Sequence, residues 1–167
     1  MIIKNFKSLA ATKEREDALK IINSGIEAVL VKPMMHEQIK ISNSILKIQN
    51  HSWNLSNYKN IFVIGAGKAA LDMAEAIEEI FGKKISKGIV IDTREKNLSR
   101  IKVMKGTHPL PSNANIEATK KIMELLEQSE KEDLIINLIS GGGSALLFYS
   151  ALSLEKQIEL NKEMLRK

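Results

Sequence analysis

Apolar positions along the chain fall into two rhythms. Between Glu14 and Val31 they recur at Ala18, Leu19, Ile22, Ile26, Val29 and Leu30, which is helical spacing with one apolar face. Thr12 precedes the stretch as an N-cap, charged Lys13 to Glu16 fill its opening turn, and Pro33 is expected to end it. From Ile39 the spacing changes to alternation. Ile39 and Ile41 lead into the turn-forming Ser42-Asn43-Ser44, and Ile45, Leu46 and Ile48 follow. That pattern predicts a short hairpin.

A polar bend over Asn57 to Asn60 gives way to the continuous apolar run Ile61-Phe62-Val63-Ile64, which ends in Gly65-Ala66-Gly67. A helical pattern follows without a spacer, with Ala70, Met73, Ala74, Ile77 and Ile80 on one face and Gly82 as its stop. Further buried strands are predicted at Gly88 to Ile91 with Asp92, at Ile101 to Met104, and at Leu134 to Ile139. Between the last two, a helix capped by Asn113 is expected to run to about Glu127, with Ile116, Thr119, Ile122, Met123 and Leu126 on its inner side. Ser153 to Arg166 reads as an amphipathic tail helix with Ser153 as N-cap and Glu155 in its first turn. Alternating strands and helices imply an α/β, Rossmann-like three-layer fold. Its mostly parallel sheet is covered on both faces, and the small hairpin precedes it. Ligands of such sheets collect at the carboxyl ends of the strands, where both glycine loops and the His108 segment are expected.

Composition narrows the function. The longest apolar runs, Ile61 to Gly67 and Leu134 to Ile139, have the length of strands, far short of the ~20 residues that cross a bilayer. The opening Met-Ile-Ile-Lys-Asn-Phe-Lys lacks the pattern of a secretory signal, and there is no cysteine. Both fit an expected cytoplasmic location. The net charge of +5 invites a nucleic-acid reading. Lysines are nevertheless interleaved with glutamates, as from Glu117 to Asp133, and aromatic residues are only 4%, so base-stacking platforms are scarce. No nucleic-acid partner and no membrane are expected.

The candidate chemistry lies in the glycine loops. Gly65-Ala66-Gly67-Lys68-Ala69-Ala70 fits Gly-x-Gly-x-x-Ala between a strand and a helix. The helix start is expected to offer free N–H groups and a positive dipole end to an anion. Asp92 stands where a dinucleotide fold carries its ribose-binding acid, ~20 residues on, so an NAD(P)-dependent reductase stays open. Lys68 places a cation where the helix dipole disfavours one, which suits a phosphorylated partner. The loop is not a Walker A sequence, because the glycines are too close and Ala69 replaces the magnesium-binding hydroxyl. Ser140-Gly141-Gly142-Gly143-Ser144 is costlier, since each glycine loses roughly 0.5–1 kcal/mol relative to alanine on ordering. Successive N–H groups there can form an anion nest flanked by two hydroxyls; the alternative is a flexible turn. His108, held by Pro109 and Pro111, can contact substrate, transfer a proton, or simply close a strand. No paired histidines suggest a protein-only metal site, whereas a nucleotide-borne magnesium needs one or two carboxylates, for which Asp92 is the candidate.

These segments form an ordered series. Arg15-Glu16-Asp17 comes first, then Val63-Ile64-Gly65-Ala66-Gly67-Lys68-Ala69-Ala70 with Met73-Ala74. Gly106-Thr107-His108-Pro109-Leu110-Pro111 and Ile139-Ser140-Gly141-Gly142-Gly143-Ser144-Ala145-Leu146-Leu147 follow. The series resembles the glycerate 2-kinases of the MOFRL type, over about residues 14 to 166. The resemblance implies ATP-dependent phosphorylation of D-glycerate to 2-phosphoglycerate, with Mg2+. It implies Lys68 as the catalytic lysine at the transferred phosphoryl group. It matches Ser140, Gly141, Gly142, Gly143 and Ser144 to the family's nucleotide- and phosphate-binding loop; beside it, Gly65 and Gly67 of the first loop are expected to bind the nucleotide and His108 to contact substrate. Ser112 stands where the family often has an acidic residue after His-Pro-x-Pro. The family is also longer and has two domains with the active site between them. Residues 1–167 are thus expected to be the N-terminal part of the Rossmann-like domain, with the second domain absent. Activity is expected only with a complementary C-terminal polypeptide, the other reading being a non-catalytic remnant.

Overall fold

The computed structural model describes residues 2–166. Helices α1 (Phe6–Leu9), α2 (Lys13–Ala28) and α3 (Val31–Gln38) precede an antiparallel sheet of β1 (Ile39–Ser42), β2 (Ile45–Ile48) and β3 (His51–Asn54). Then come β4 (Ile61–Ala66), α4 (Ala70–Phe81), β5 (Lys87–Asp92), β6 (Lys96–Asn97), β7 (Ile101–Lys105) and α5 (Asn113–Glu127). The chain continues through β8 (Leu134–Ile139), α6 (Gly143–Leu146) and α7 (Leu154–Arg166). The main sheet has the order β6-β7-β5-β4-β8, parallel throughout except for β6.

Why β4 and β5 read as unbroken apolar runs is plain from their position, since both lie in the sheet interior with a packed layer on each face. Val63, Val90 and Val103 point to the α4 side and pack with Ala74, Ile77 and Phe81. Phe62, Ile89 and Ile91 point to the α5 side and pack with Ala118, Ile122 and Leu125. The expected three-layer α/β arrangement is therefore present. On the edge opposite β6, one face of β8 stays in water, with Ile135 41% and Ile139 68% exposed on either side of exposed Asn137.

Several sequence readings need correction. The predicted hairpin gains a third strand, turning at Asn43-Ser44 and at Gln49, all with positive φ. Pro33 does not simply stop a helix: α2 already ends at Ala28, and Pro33 sits in the first turn of α3, where a missing N–H costs nothing. The cap of α5 is Ser112 rather than Asn113. The apolar stripe of α2 has the predicted period, but Ile22, Ile26 and Val29 are exposed. The buried α2 residue is Asn23, whose Oδ1 accepts the Ile2 N–H at 2.8 Å. Periodicity foretold the helix but not that no described element covers that stripe.

Candidate functional site

Both glycines of the first loop are required by the second loop and its strand. A Cβ on Gly65 would lie 2.3 Å from the Leu138 carbonyl oxygen of the neighbouring strand β8. At Gly67, where φ is +147°, a Cβ would stand 2.0 Å from Ser140 Oγ. The two loops are in direct contact.

That contact overturns one expectation. The start of α4 does not present free N–H groups to an anion, because protein acceptors take them. The Lys68 N–H donates to the Gly141 carbonyl at 2.9 Å and the Ala69 N–H to Ser140 Oγ at 3.1 Å. The Ala70 N–H donates to the Gly67 carbonyl at 3.1 Å and the Leu71 N–H to Asp92 Oδ2 at 2.9 Å. Ala69, the N-cap position, has no capping side chain of its own, so the second loop and Asp92 supply the cap instead.

Asp92 is likewise not where a ligand could use it. Its side chain is fully buried, and besides Leu71 it accepts the Arg94 N–H and Nε on Oδ1, both at 3.0 Å, and Arg94 Nη2 on Oδ2 at 3.1 Å. Arg94 also reaches Asp72 at 2.9 Å and the Lys68 carbonyl at 3.4 Å. The carboxylate expected as a metal ligand or ribose acid is a structural anchor for the first turn of α4. Burial pushes its pKa up, but hydrogen bonds from Arg94 and from the Leu71 and Arg94 N–H groups outweigh that and leave it below the usual aspartate value. A depressed folded-state pKa contributes stability above the unfolded value and loses it as pH falls through the folded one. We expect the urea midpoint of Asp92→Asn to lie well below that of the wild type at pH 7. The gap should close as pH drops below about 4, the ordinary aspartate range. A gap that stays constant down to pH 3 would show that the carboxylate charge contributes nothing.

The second loop carries the open chemistry. Gly142 is left-handed at φ 86°, and a Cβ there would meet the His108 imidazole at 2.8 Å and Lys68 Cγ at 3.3 Å. Lys68, His108 and the glycine-rich loop, three separate predictions from sequence, thus meet at one point. Lys68, His108 and Ser144 are exposed, while Ser140 is half-buried beneath the loop. The Gly143 N–H turns back to the Ser140 carbonyl at 3.2 Å, whereas the N–H groups of Gly141, Gly142 and Ser144 have no acceptor among the described residues. A crevice of about 360 Å³ opens beside Gly142, Gly143 and Ser144, lined also by Ser140, Ala66, Asn137, Ile139 and Leu147. Elsewhere, His36 pairs with Glu79 at 2.8 Å and His51 stacks on Trp53, both away from the loops. Sequence reading did not single out Arg94 or Asn115; the latter is fully buried behind the His108 segment. The only signal for it was its place three residues after a serine at a helix start.

Fold and site together define a Rossmann-like α/β protein whose two glycine loops meet at the carboxyl edge of its sheet. The profile described as a domain of unknown function, DUF4147, matches residues 17–167, and the chain belongs to that family. It is 32% identical over 155 residues to a glycerate 2-kinase of Pyrococcus horikoshii, covering 92% of this chain and 34% of that protein. A crystal structure of the Thermotoga maritima glycerate kinase overlays with a TM-score of 0.69 at 30% identity, covering 89% of this chain and 34% of that one. A protein of Agrobacterium vitis named putative hydroxypyruvate reductase is 36% identical over 108 residues, which cover 62% of this chain and 28% of that protein. The resemblance to glycerate 2-kinases read from the motifs is borne out, and the chain spans about a third of the length of the relatives it matches.

Proposed function

We propose that this chain forms one wall of the active site of a glycerate 2-kinase, transferring the terminal phosphoryl group of ATP to a hydroxyl of D-glycerate. The observation that carries this reading is the convergence of the Lys68 stem, the His108 ring and Gly142, beside loop N–H groups with no protein acceptor. Phosphoryl transfer asks a protein chiefly to position reactants and neutralise charge. The N–H groups of Gly141, Gly142 and Ser144 suit phosphate oxygens, with the Ser144 hydroxyl as a further donor. Ser140 and the glycines Gly65, Gly67 and Gly143 build the loop rather than face the phosphate. Lys68 supplies the mobile cation for charge that develops on the transferring group, and His108 is placed to contact the acceptor hydroxyl.

Magnesium belongs to this chemistry, but the residues of this chain do not make a site for it. Asp92 is buried and engaged, Asp72 is paired with Arg94, and no cluster of three or more metal-binding side chains occurs among the described residues. Any metal would be held by the nucleotide and by residues beyond this third of the family's length. The exposed isoleucines of β8, Ile135 and Ile139, support the same division. They form a surface that a complementary C-terminal polypeptide could cover, completing the crevice from the opposite side. In this reading residues 1–167 are the N-terminal part of the Rossmann-like domain, in a cytoplasmic enzyme.

The reductase reading is favoured by one relative's name and opposed by geometry, since Ser140 occupies the approach to Gly67 and Asp92 cannot reach a ribose. An ADP-release assay with D-glycerate decides between them, run on this chain and on the chain extended to the relatives' length. We expect turnover in the extended protein and none above background in residues 1–167 alone. Tight NADH binding with no response to ATP in the extended protein would reverse the choice.

A further inference from the structure

We infer that Asn115 is a positioning residue that sets the His108 segment and the glycine-rich loop at a fixed separation. The inference rests on the reading of those two segments as parts of one site. Asn115 lies in the first turn of α5, fully buried. A side-chain amide there could serve the helix cap alone, and in part it does. Oδ1 accepts the Ser112 N–H at 3.2 Å and the Ser112 hydroxyl at 2.9 Å. The remaining bonds leave the helix. Oδ1 also accepts the Thr107 N–H at 2.9 Å, and Nδ2 donates to the Thr107 carbonyl at 2.9 Å and to the Ala145 carbonyl at 2.8 Å.

The amide therefore spans two segments that are not otherwise tied to each other by its helix. Thr107 directly precedes His108, and Ala145 follows the glycine-rich loop within α6. The planar group holds one segment on each of its Nδ2 protons. A buried amide with every bond made is rigid, because losing any partner leaves an unpaired polar group in the interior. One turn further along α5, Thr119 Oγ1 accepts the Phe148 N–H at 2.9 Å, a second tie to the same stretch. The packing beneath is equally tight: a Cβ on Gly106 would lie 2.8 Å from Leu146 Cδ2 and 3.2 Å from Asn115 Nδ2. The contact of the His108 ring with Gly142 is the outcome of this spacing, since neither segment is free to move away from α5.

The test separates positioning from plain stability. Asn115→Asp keeps the acceptor oxygen but puts a second oxygen where Nδ2 donated, so the Thr107 and Ala145 carbonyls lose their shared donor. Ser112→Ala weakens the start of α5 and leaves the Thr107–Ala145 bridge in place. In isotope-labelled protein, we expect a nuclear Overhauser contact between the His108 ring and Gly142 in the wild type and in Ser112→Ala, and its loss in Asn115→Asp. Titration with inorganic phosphate, read at the Gly141, Gly142 and Ser144 amides, should weaken about tenfold in Asn115→Asp and little in Ser112→Ala. Urea midpoints should fall in both variants. If Asn115→Asp does not fold, Asn115→Ser, which leaves the Ser112 cap in place but is too short to reach Ala145, is judged by the same criteria. A variant that keeps the ring contact and the phosphate response, losing only stability, overturns the inference. So does a Ser112→Ala protein that loses them equally. A wild-type loop that ignores phosphate counts against the proposed function instead, and the ring contact still decides the role of Asn115.

Discussion

In the chain extended to the length of its relatives, Lys68→Ala is expected to lower the turnover of D-glycerate phosphorylation by roughly 10²–10³-fold, about 3–4 kcal/mol of transition-state stabilisation. A lysine at this position carries an electrostatic cost. Lys68 stands at the start of α4, where the helix dipole repels a cation, and its side chain is exposed. Acidic neighbours do not relieve that cost, because Asp72 and Asp92 are both paired with Arg94. The stem instead lies against Gly142, in a loop whose Gly141, Gly142 and Ser144 N–H groups have no acceptor among the described residues. In the proposed reaction a cation held there would be stabilised when a phosphoryl group arrives, and most when negative charge peaks in transfer. The loss should therefore fall on kcat more than on the KM for glycerate. Steady-state kinetics of the purified variant check both numbers. Full turnover in Lys68→Ala would remove the lysine from the mechanism.

The motifs that converge at this site were legible in the sequence because each carries a local physical signature. Ile61 to Ile64 announces a buried strand by its unbroken apolar run, and three consecutive glycines announce a backbone that something approaches closely. Both signals depend on neighbours in sequence. Asp92 shows where such reasoning stops. Its spacing after the first loop matched a ribose acid, yet its carboxylate is consumed by Leu71 and by Arg94. Arg94 lies two residues further along the chain and turns back onto Asp92, a local pairing that spacing alone did not select. Asn115 was invisible for a related reason, as its partners Thr107 and Ala145 are brought together only by the packing of α5 against the sheet. The second glycine of the first loop, which the Gly-x-Gly-x-x-Ala pattern assigns to a ligand, is approached instead by Ser140 of the same chain.

That last distinction is itself measurable. Gly67→Ala is expected to destabilise the folded chain by about 3 kcal/mol or more, in the absence of any ligand. Two independent penalties act at this residue. Its φ of +147° is one that an alanine adopts only under strain. The new methyl would also stand 2.0 Å from Ser140 Oγ and 2.7 Å from the Ser140 carbonyl oxygen. A flexible side chain could swing aside, but a backbone carbonyl cannot, so the two loops must separate. Separation breaks the Ala69 N–H bond to Ser140 and the Lys68 N–H bond to the Gly141 carbonyl, leaving the start of α4 uncapped. Had the glycine been reserved for a nucleotide, only the φ penalty of about 1–3 kcal/mol would act on the ligand-free protein, and the contact with Ser140 would add nothing to it. Urea unfolding of ligand-free Gly67→Ala separates the two cases, since a midpoint within error of the wild type would mean that the loops do not lean on each other. A large loss would make the first loop the foundation of the site and the second loop its working surface.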